Sequence, residues 1–413
     1  MRSAAFILVA IGVLTKAILT FSYNKLVAHG LDPSGYFAYG KLYLVATFMY
    51  TVASLGLANA HTVYLSGDRS RTRRFDSAVW FVFIGASFVS LFFYLSVHLF
   101  DGALNQWVGR STSMSVWLVL TSYIVLSPIT IVFSSWMGVL QDYKFQQAAS
   151  LFPSLIAVLF LVGWSHVSSL SIEVAIAAYC LGYISLGIGI LVWRGNALIK
   201  AAKVRRILIA GKFYSSYVLP SLAGTIVSTV VFANIMTRVG VGLDGNSSGV
   251  WYAVWRLSEA YTGLIIAIGS AFFLPKMVRA GIGDKKIAWL TLGALLAAYF
   301  PLLLGLLSFP KFVFGLLFSQ QFALSLPSLV PQVLGDLLKI IVAVIMFRLV
   351  VAKRPFFMFV VECVFSLTFF GLVEFLARAP MIESYLWAYA LSYAFLLIGL
   401  VPGILFVGKR QYG

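Results

Sequence analysis

Acidic residues are what this sequence has least of. Its 413 residues include 13 Asp and Glu against 30 Lys and Arg, and charged residues of both signs make up only 10% of the chain. Cysteine is nearly missing. Cys180 and Cys363 each lie in an apolar segment without a C-x-x-C partner, which excludes a disulfide framework or thiolate metal site and leaves two small buried hydrophobes. Histidines His29, His61, His98 and His166 are scattered without ligand spacing, so neither a metal nor another cofactor is expected. Long polar loops are also lacking: the longest outer connection expected runs from Phe100 to Met114, with Asp101 and Arg110. Spaced carboxylate pairs, a Ser/His/Asp set and a phosphate-cradling glycine loop are all absent, which speaks against an enzyme.

What is present is apolar. Hydrophobic residues make up 61% of the chain and its mean hydropathy is +0.97, values that no soluble globular class reaches. A spanning helix needs about 20 apolar residues. Runs of that length fall at 4–28, 36–60, 77–99, 115–140, 148–165, 174–193, 213–239, 250–273, 287–309, 324–351, 356–377 and 384–407. The first begins directly after Met1-Arg2-Ser3 and is longer than the apolar core of a signal peptide, so it reads as a transmembrane helix.

The formal charge of +17 could suggest nucleic acid, but the placement of the bases points to a lipid bilayer. Arg2, Arg69, Arg71, Arg73, Arg74, Lys144, Arg194, Lys200, Lys203, Arg205, Arg206 and Lys212 fall on the N-terminal side of the spans. So do Lys276, Arg279, Lys285, Lys286, Lys353, Arg354, Lys409 and Arg410, whereas the opposite loops hold Arg110, Lys311 and Arg378. Cytoplasmic loops collect Lys and Arg, so both termini are expected in the cytoplasm.

The chain also repeats itself. FSYNKLVAHGLDPSGYFAYGKL (Phe21–Leu42) recurs, with several gaps, as FANIMTRVGVGLDGNSSGVWYAVWRL (Phe232–Leu257). Shared are a base near a helix end, Gly-Leu-Asp in the loop, Ser-Gly at the next helix start, and an aromatic stretch ending in base-Leu. The expected fold is an all-α polytopic membrane protein of twelve transmembrane helices in two six-helix lobes. These are 1–193 and 213–413, joined by a cytoplasmic linker at 194–212. Six spans per half make the repeats parallel, a layout found in transporters.

Charges inside spans cost about 2.5–3.5 kcal/mol each on insertion scales and therefore need a reason. Lys25 and Arg238 near outer span ends, Arg348 near an inner end, and Glu374 by the outer edge can snorkel to headgroups. Arg256 with Glu259, and Asp336 with Lys339, stand three residues apart and are expected to pair on one helix face. Glu259, Asp336 and Glu362 are also candidates for coupling a cation or proton. Lys16 is different: it lies about 18 Å into the first span, near the midplane. Lys41 is about two turns inside the second. The first six spans contain no membrane acid to pair with either, so Lys16 is expected to face a wet, protein-lined cavity suited to an anionic cargo. Pro128, Pro153, Pro275, Pro301, Pro327 and Pro331 lie within or at the ends of spans, where kinked helices are expected.

Several stretches carry a resemblance: GVWYAVWRLSEAY (Gly249–Tyr261), LGDLLKIIVAVIMFRLVVAK (Leu334–Lys353), GLLFSQQF (Gly315–Phe322), and LTKAIL and NKLVAHGLDPSG in the first half. Together with twelve spans they resemble the Wzx-type flippases of lipid-linked oligosaccharides, in particular those for the enterobacterial common antigen unit. That family shares a superfamily with the MATE (multidrug and toxin) extruders and the lipid II flippase. The resemblance implies a bacterial inner-membrane transporter that moves an undecaprenyl pyrophosphate glycan to the outer leaflet by alternating access. It further implies a cationic cavity lined by Lys16, Lys25, Lys41 and Arg256, and a polysaccharide polymerase and chain-length machinery as partners, with no nucleic acid. Lipid II flippases carry two additional spans that this chain lacks. The rival readings are a MATE-like drug or cation exporter, which would want cavity acids, and a membrane-embedded glycan polymerase or ligase.

Overall fold

In the computed structural model, residues 2–54, 61, 65, 71–108, 112–140, 142–201, 204–273, 276–277, 285–324, 326–352, 355–376, 378 and 381–407 are described. Arg69, Arg110, Lys203, Pro275, Arg279, Lys353, Arg354, Lys409 and Arg410 lie outside them. The described residues fold into helices and turns. The helices are α1 (Arg2–Gly30), α2 (Pro33–Ala53), α3 (Arg71–Val108), α4 (Met114–Val139), α5 (Tyr143–Ser165), α6 (Ile172–Ala201) and α7 (Val204–Gly242). They continue with α8 (Gly245–Phe272), α9 (Lys285–Ser308), α10 (Pro310–Leu317), α11 (Gln320–Leu324), α12 (Val330–Val351), α13 (Pro355–Leu376) and α14 (Ile382–Val407).

Among the described residues, nine helices are long and apolar enough to cross a membrane: α3 to α7, α9, and α12 to α14. With no water inside a bilayer, each segment must satisfy its backbone internally, which is why the apolar runs appear as helices. Helices α1, α2 and α8, of 29, 21 and 28 residues, are as long but carry Lys16, Lys25, Lys41, Arg256 and Glu259. The candidate cavity cations Lys16, Lys25, Lys41 and Arg256 thus lie on three helices.

Two compact units divide the chain. The N-terminal unit comprises Met1–Leu31 and Ala38–Ile226, and the C-terminal unit Asp32–Phe37 and Val227–Gly413. In the first, α1 packs on α5, α4 packs on α3 and α6, and α5 packs on α6. Backbones approach closely here: a Cβ on Gly182 of α6 would meet the carbonyl oxygen of Pro153 in α5 at 2.1 Å. In the second, α12 packs on α14, α9 and α8, and α13 packs on α14. The segment expected as a linker is helical at both ends, with α6 reaching Ala201 and α7 starting at Val204.

Pro128, Pro153 and Pro301 sit inside α4, α5 and α9, as expected. Pro331 instead occupies the first turn of α12, where its missing N–H is harmless, and Pro327 lies in the connection before it. A kink at Phe100 (φ −123°, ψ 22°) bends α3. Cys180 is buried, Cys363 half-buried, and both are free thiols.

The repeated Gly-Leu-Asp loops take the same local form. Asp32 accepts hydrogen bonds from the Ser34 hydroxyl (2.8 Å) and the Gly35 N–H (2.7 Å) at the start of α2. Asp244 accepts from the Ser247 N–H (2.9 Å) and hydroxyl (2.8 Å) at the start of α8. Each carboxylate satisfies N–H groups that a helix start leaves unpaired and complements its dipole. That hydrogen bonding holds the exposed Asp244 carboxyl below the ordinary aspartate range.

Candidate functional site

Helix α1 has two faces. Ile11, Leu14 and Ile18 are 58%, 52% and 65% exposed and form one stripe, which Lys25 continues. Gly12, Tyr23, Val27 and Leu31 are buried on the other side, where α1 meets α5; the side chain of Gln147 lies against Gly12. At 100° per residue, Lys16 falls within this packed face, surrounded by Gly12, Val13, Leu19, Thr20 and Tyr23, all buried or half-buried. Yet Lys16 itself is exposed. It is a charged side chain that keeps open surface on the packed face of α1. Lys16 has no hydrogen-bond or ion-pair partner among the described residues.

The other predicted cations go elsewhere. Lys25 is nine residues from Lys16, half a turn round the wheel, on the opposite face of α1. Lys41 of α2 donates to the Trp107 carbonyl oxygen (2.5 Å) and lies 5.5 Å from the centre of that indole. Arg256 of α8 donates to Glu259 (3.1 Å), as the three-residue spacing predicts; Arg256 is 12% and Glu259 42% exposed. Within the N-terminal unit, therefore, Lys16, Lys25 and Lys41 point to three different surroundings.

The expected Asp336–Lys339 pair does not form an ion pair among the described residues. Asp336 is fully buried and turns toward neutral donors from three helices. Ser258 of α8 donates at 2.5 Å and Tyr389 of α14 at 2.9 Å, Tyr261 of α8 makes a third bond, and Gln332 stands at 3.5 Å. Gly335 makes room for this: a Cβ there would lie 2.4 Å from the Tyr389 ring. Hydroxyl donors are pre-aimed at a group whose burial is otherwise costly, which explains why the carboxyl prefers them to a lysine one turn away. The Gln332 amide oxygen is buried beside it without a partner among the described residues.

Glu362 mirrors Lys16. It falls on the α13 face occupied by the buried residues Ser366, Phe369 and Val373, opposite the exposed Val364, Leu367, Gly371 and Phe375, yet is itself exposed. Lys16 and Glu362 are thus both exposed charged residues on the packed face of their helix.

Two further groups escaped sequence reasoning. Arg194, expected in a loop, forms a 2.8 Å ion pair with Asp76, its guanidinium 5.7–5.8 Å from the rings of Phe75, Trp136 and Trp193. Arg238, expected to snorkel, pairs with Glu374 at 2.6 Å. The larger omission is a column of seven tyrosines in the N-terminal unit. Tyr23, Tyr39, Tyr43, Tyr179, Tyr123, Tyr183 and Tyr50 are linked by ring centroids 5.0–6.4 Å apart. The Tyr23 hydroxyl bonds that of Tyr39 (3.1 Å) and the Ala175 carbonyl oxygen (2.7 Å). The i, i+4 spacings Tyr39/Tyr43 and Tyr179/Tyr183 were the available signal.

No family model and no curated protein sequence matches the chain. Solved structures do. The lipid II flippase MurJ in an inward closed conformation is similar with a TM-score of 0.68 and 16% identity, covering 98% of this chain and 88% of its own. An inward-facing multidrug resistance MATE family transporter of the MOP superfamily gives 0.72 and 13%, covering 97% and 99%. A MOP superfamily transporter from Pyrococcus furiosus with a binding pocket of reversed polarity gives 0.66 and 11%, covering 98% and 96%. At these identities the shared property is the fold: this chain is a multi-pass membrane protein with the fold of the MOP superfamily.

Proposed function

We propose that the protein is a flippase. It moves an undecaprenyl pyrophosphate-linked oligosaccharide from the inner to the outer leaflet of the bacterial inner membrane by alternating access. The cargo serves enterobacterial common antigen or O-antigen synthesis, with a polymerase and chain-length machinery downstream. In this reading the twelve spans form two lobes with both termini in the cytoplasm.

The observation that carries it is Lys16, an exposed cation on the packed face of α1 with no acid partner among the described residues. A pyrophosphate diester supplies the missing negative charge. Lys25, Lys41 and Arg256 are the further candidate contacts, used at other stages of passage because their surroundings differ. A diphosphate moving outward gains about 2.3 kcal/mol per charge per 100 mV if the fixed cations stay behind, so the membrane potential favours export. Asp336, Glu259 and Glu362 are candidates for ion or proton coupling, with Lys339 near Asp336.

The test is flipping of a fluorescent undecaprenyl pyrophosphate glycan in proteoliposomes with an imposed potential or pH gradient. No flipping, with and without the gradients, overturns the reading. A MATE-like cation exporter is the second reading, favoured by the acids Glu259, Asp336 and Glu362 of the C-terminal unit. Uptake of a lipophilic cation in the same vesicles would support it.

A further inference from the structure

Helix α2 is covered along its whole length. No residue from Pro33 to Ala53 is exposed, and none of α6 from Ile172 to Ile184 is. Half-buried side chains on these stretches keep part of their surface open. Tyr43 and Tyr50 of α2 and Tyr179 and Tyr183 of α6 are such side chains, with the fully buried Tyr123 of α4 behind them. Tyr43 contacts Tyr179 (5.0 Å) and Tyr50 contacts Tyr183 (5.8 Å), so the column bridges α2 and α6 along its length.

Lys16 is linked to the column through its own helix. It shares its face of α1 with Tyr23, which is bonded to Tyr39 and in ring contact with Tyr179. Measured inward from the Tyr23–Tyr39 bond, Lys16 lies about 10 Å deep, between Tyr43 at about 6 Å and Tyr50 at about 16 Å. Lys16 and these phenols thus lie at comparable depths in the N-terminal unit.

The choice of tyrosine is informative. The chain has 35 phenylalanines and 20 tyrosines, and exposed rings on α3 such as Phe88 (71%) and Phe92 (74%) are phenylalanine, as contact with lipid requires. The Tyr123 hydroxyl donates to that of Tyr179 (3.5 Å), so the column is a polar seam within an otherwise apolar unit. A tyrosine offers an apolar face and a hydroxyl at its rim, both at low conformational cost. A pyranose is the complement: axial C–H groups on one face and hydroxyls at its edge.

Resting on the flippase reading above, we propose that Tyr43, Tyr50, Tyr179 and Tyr183 form a sugar-binding wall that stacks the pyranose nearest the pyrophosphate while Lys16 holds the phosphate. The wall accepts hexoses by shape and stacking, and sets a preference for a glycosylated over a bare lipid.

The experiment compares two probes on the purified full chain in nanodiscs: a polyprenyl pyrophosphate carrying one hexosamine, and the same lipid without sugar. Wild type is expected to bind the sugar-bearing lipid about tenfold more tightly, the scale of one aromatic stacking contact. Tyr50→Leu and Tyr183→Leu are expected to abolish that ratio without changing affinity for the bare lipid, and Tyr183→Phe, which keeps the ring, to retain most of it. A diazirine on the sugar should label α2 or α6 of the unaltered protein, a readout that does not depend on variants folding. Equal affinity of wild type for both lipids, an unchanged ratio in the leucine variants, or labelling only in the C-terminal unit overturns the wall. Failure of wild type to bind either lipid overturns the flippase reading itself.

Discussion

The Cα of Gly249 rests against the carbonyl oxygen of Pro33, so close that a Cβ would come within 2.0 Å of it. The two repeated Gly-Leu-Asp loops meet at this point. Tyr36, fully buried, follows Pro33 into the C-terminal unit and packs on Tyr252 (5.3 Å), Phe322 (5.5 Å) and Phe318 (5.9 Å). Backbone cannot yield as a flexible side chain can. Gly249→Ala should therefore cost about 1–3 kcal/mol, the range for overpacking a filled site. Thermal unfolding in detergent would read it, and an unchanged midpoint would show that the loops part readily.

Lys16→Ala should lower the flipping rate about tenfold or more, the scale of one lost charge-assisted contact, while Lys16→Arg keeps part of it. Lys25→Ala should do less. The two lysines stand on opposite sides of a helix about 10 Å across and cannot grip one phosphate together. Vesicle flipping assays on matched protein amounts check this, and equal losses at both positions would contradict it.

Arg256 and Glu259 separate a binding role from a structural one. If Arg256 meets cargo, Glu259→Gln should preserve binding of a polyprenyl pyrophosphate glycan by leaving the cation in place, and Arg256→Gln should weaken it several-fold. Recovery in the double variant would instead mark a pair that only fixes α8.

Tyr389→Phe removes one donor from Asp336 and should destabilise the C-terminal unit by about 1–3 kcal/mol, the cost of a buried acceptor losing a partner. Gly335→Ala should do so as well, by pushing the Tyr389 ring aside. Chemical denaturation of both variants measures this, and wild-type stability in both would mean that the remaining hydroxyls suffice.

Asp244 gives a pH signature. Its folded carboxyl titrates below the ordinary value of 3.8 because Ser247 bonds the charged form. The stabilisation is therefore fully present above the unfolded value and is lost as pH falls through the folded one. The melting difference between wild type and Asp244→Ala should stay constant from pH 7 to pH 5 and shrink below pH 4. A difference independent of pH would assign the effect to shape rather than charge.

Composition and periodicity settled which stretches are helical and apolar, because a bilayer forces each spanning segment to satisfy its own backbone. The i, i+3 spacing also placed Arg256 beside Glu259, and the Gly-Leu-Asp repeat marked two helix starts that Asp32 and Asp244 do cap, since such contacts lie within one helical turn. The same local rule failed at Asp336. Three hydroxyls brought by α8 and α14 outcompete a lysine on its own helix, and residues 53 to 78 positions away are invisible to spacing. Depth along α1 made Lys16 conspicuous in the sequence. Tertiary packing decided that it lies on the packed face, that Lys25 lies on the other, and that tyrosines from four helices stand in one column beside it. Such convergence depends on how helices are rotated against one another, and that rotation is set by the fit of whole helix surfaces.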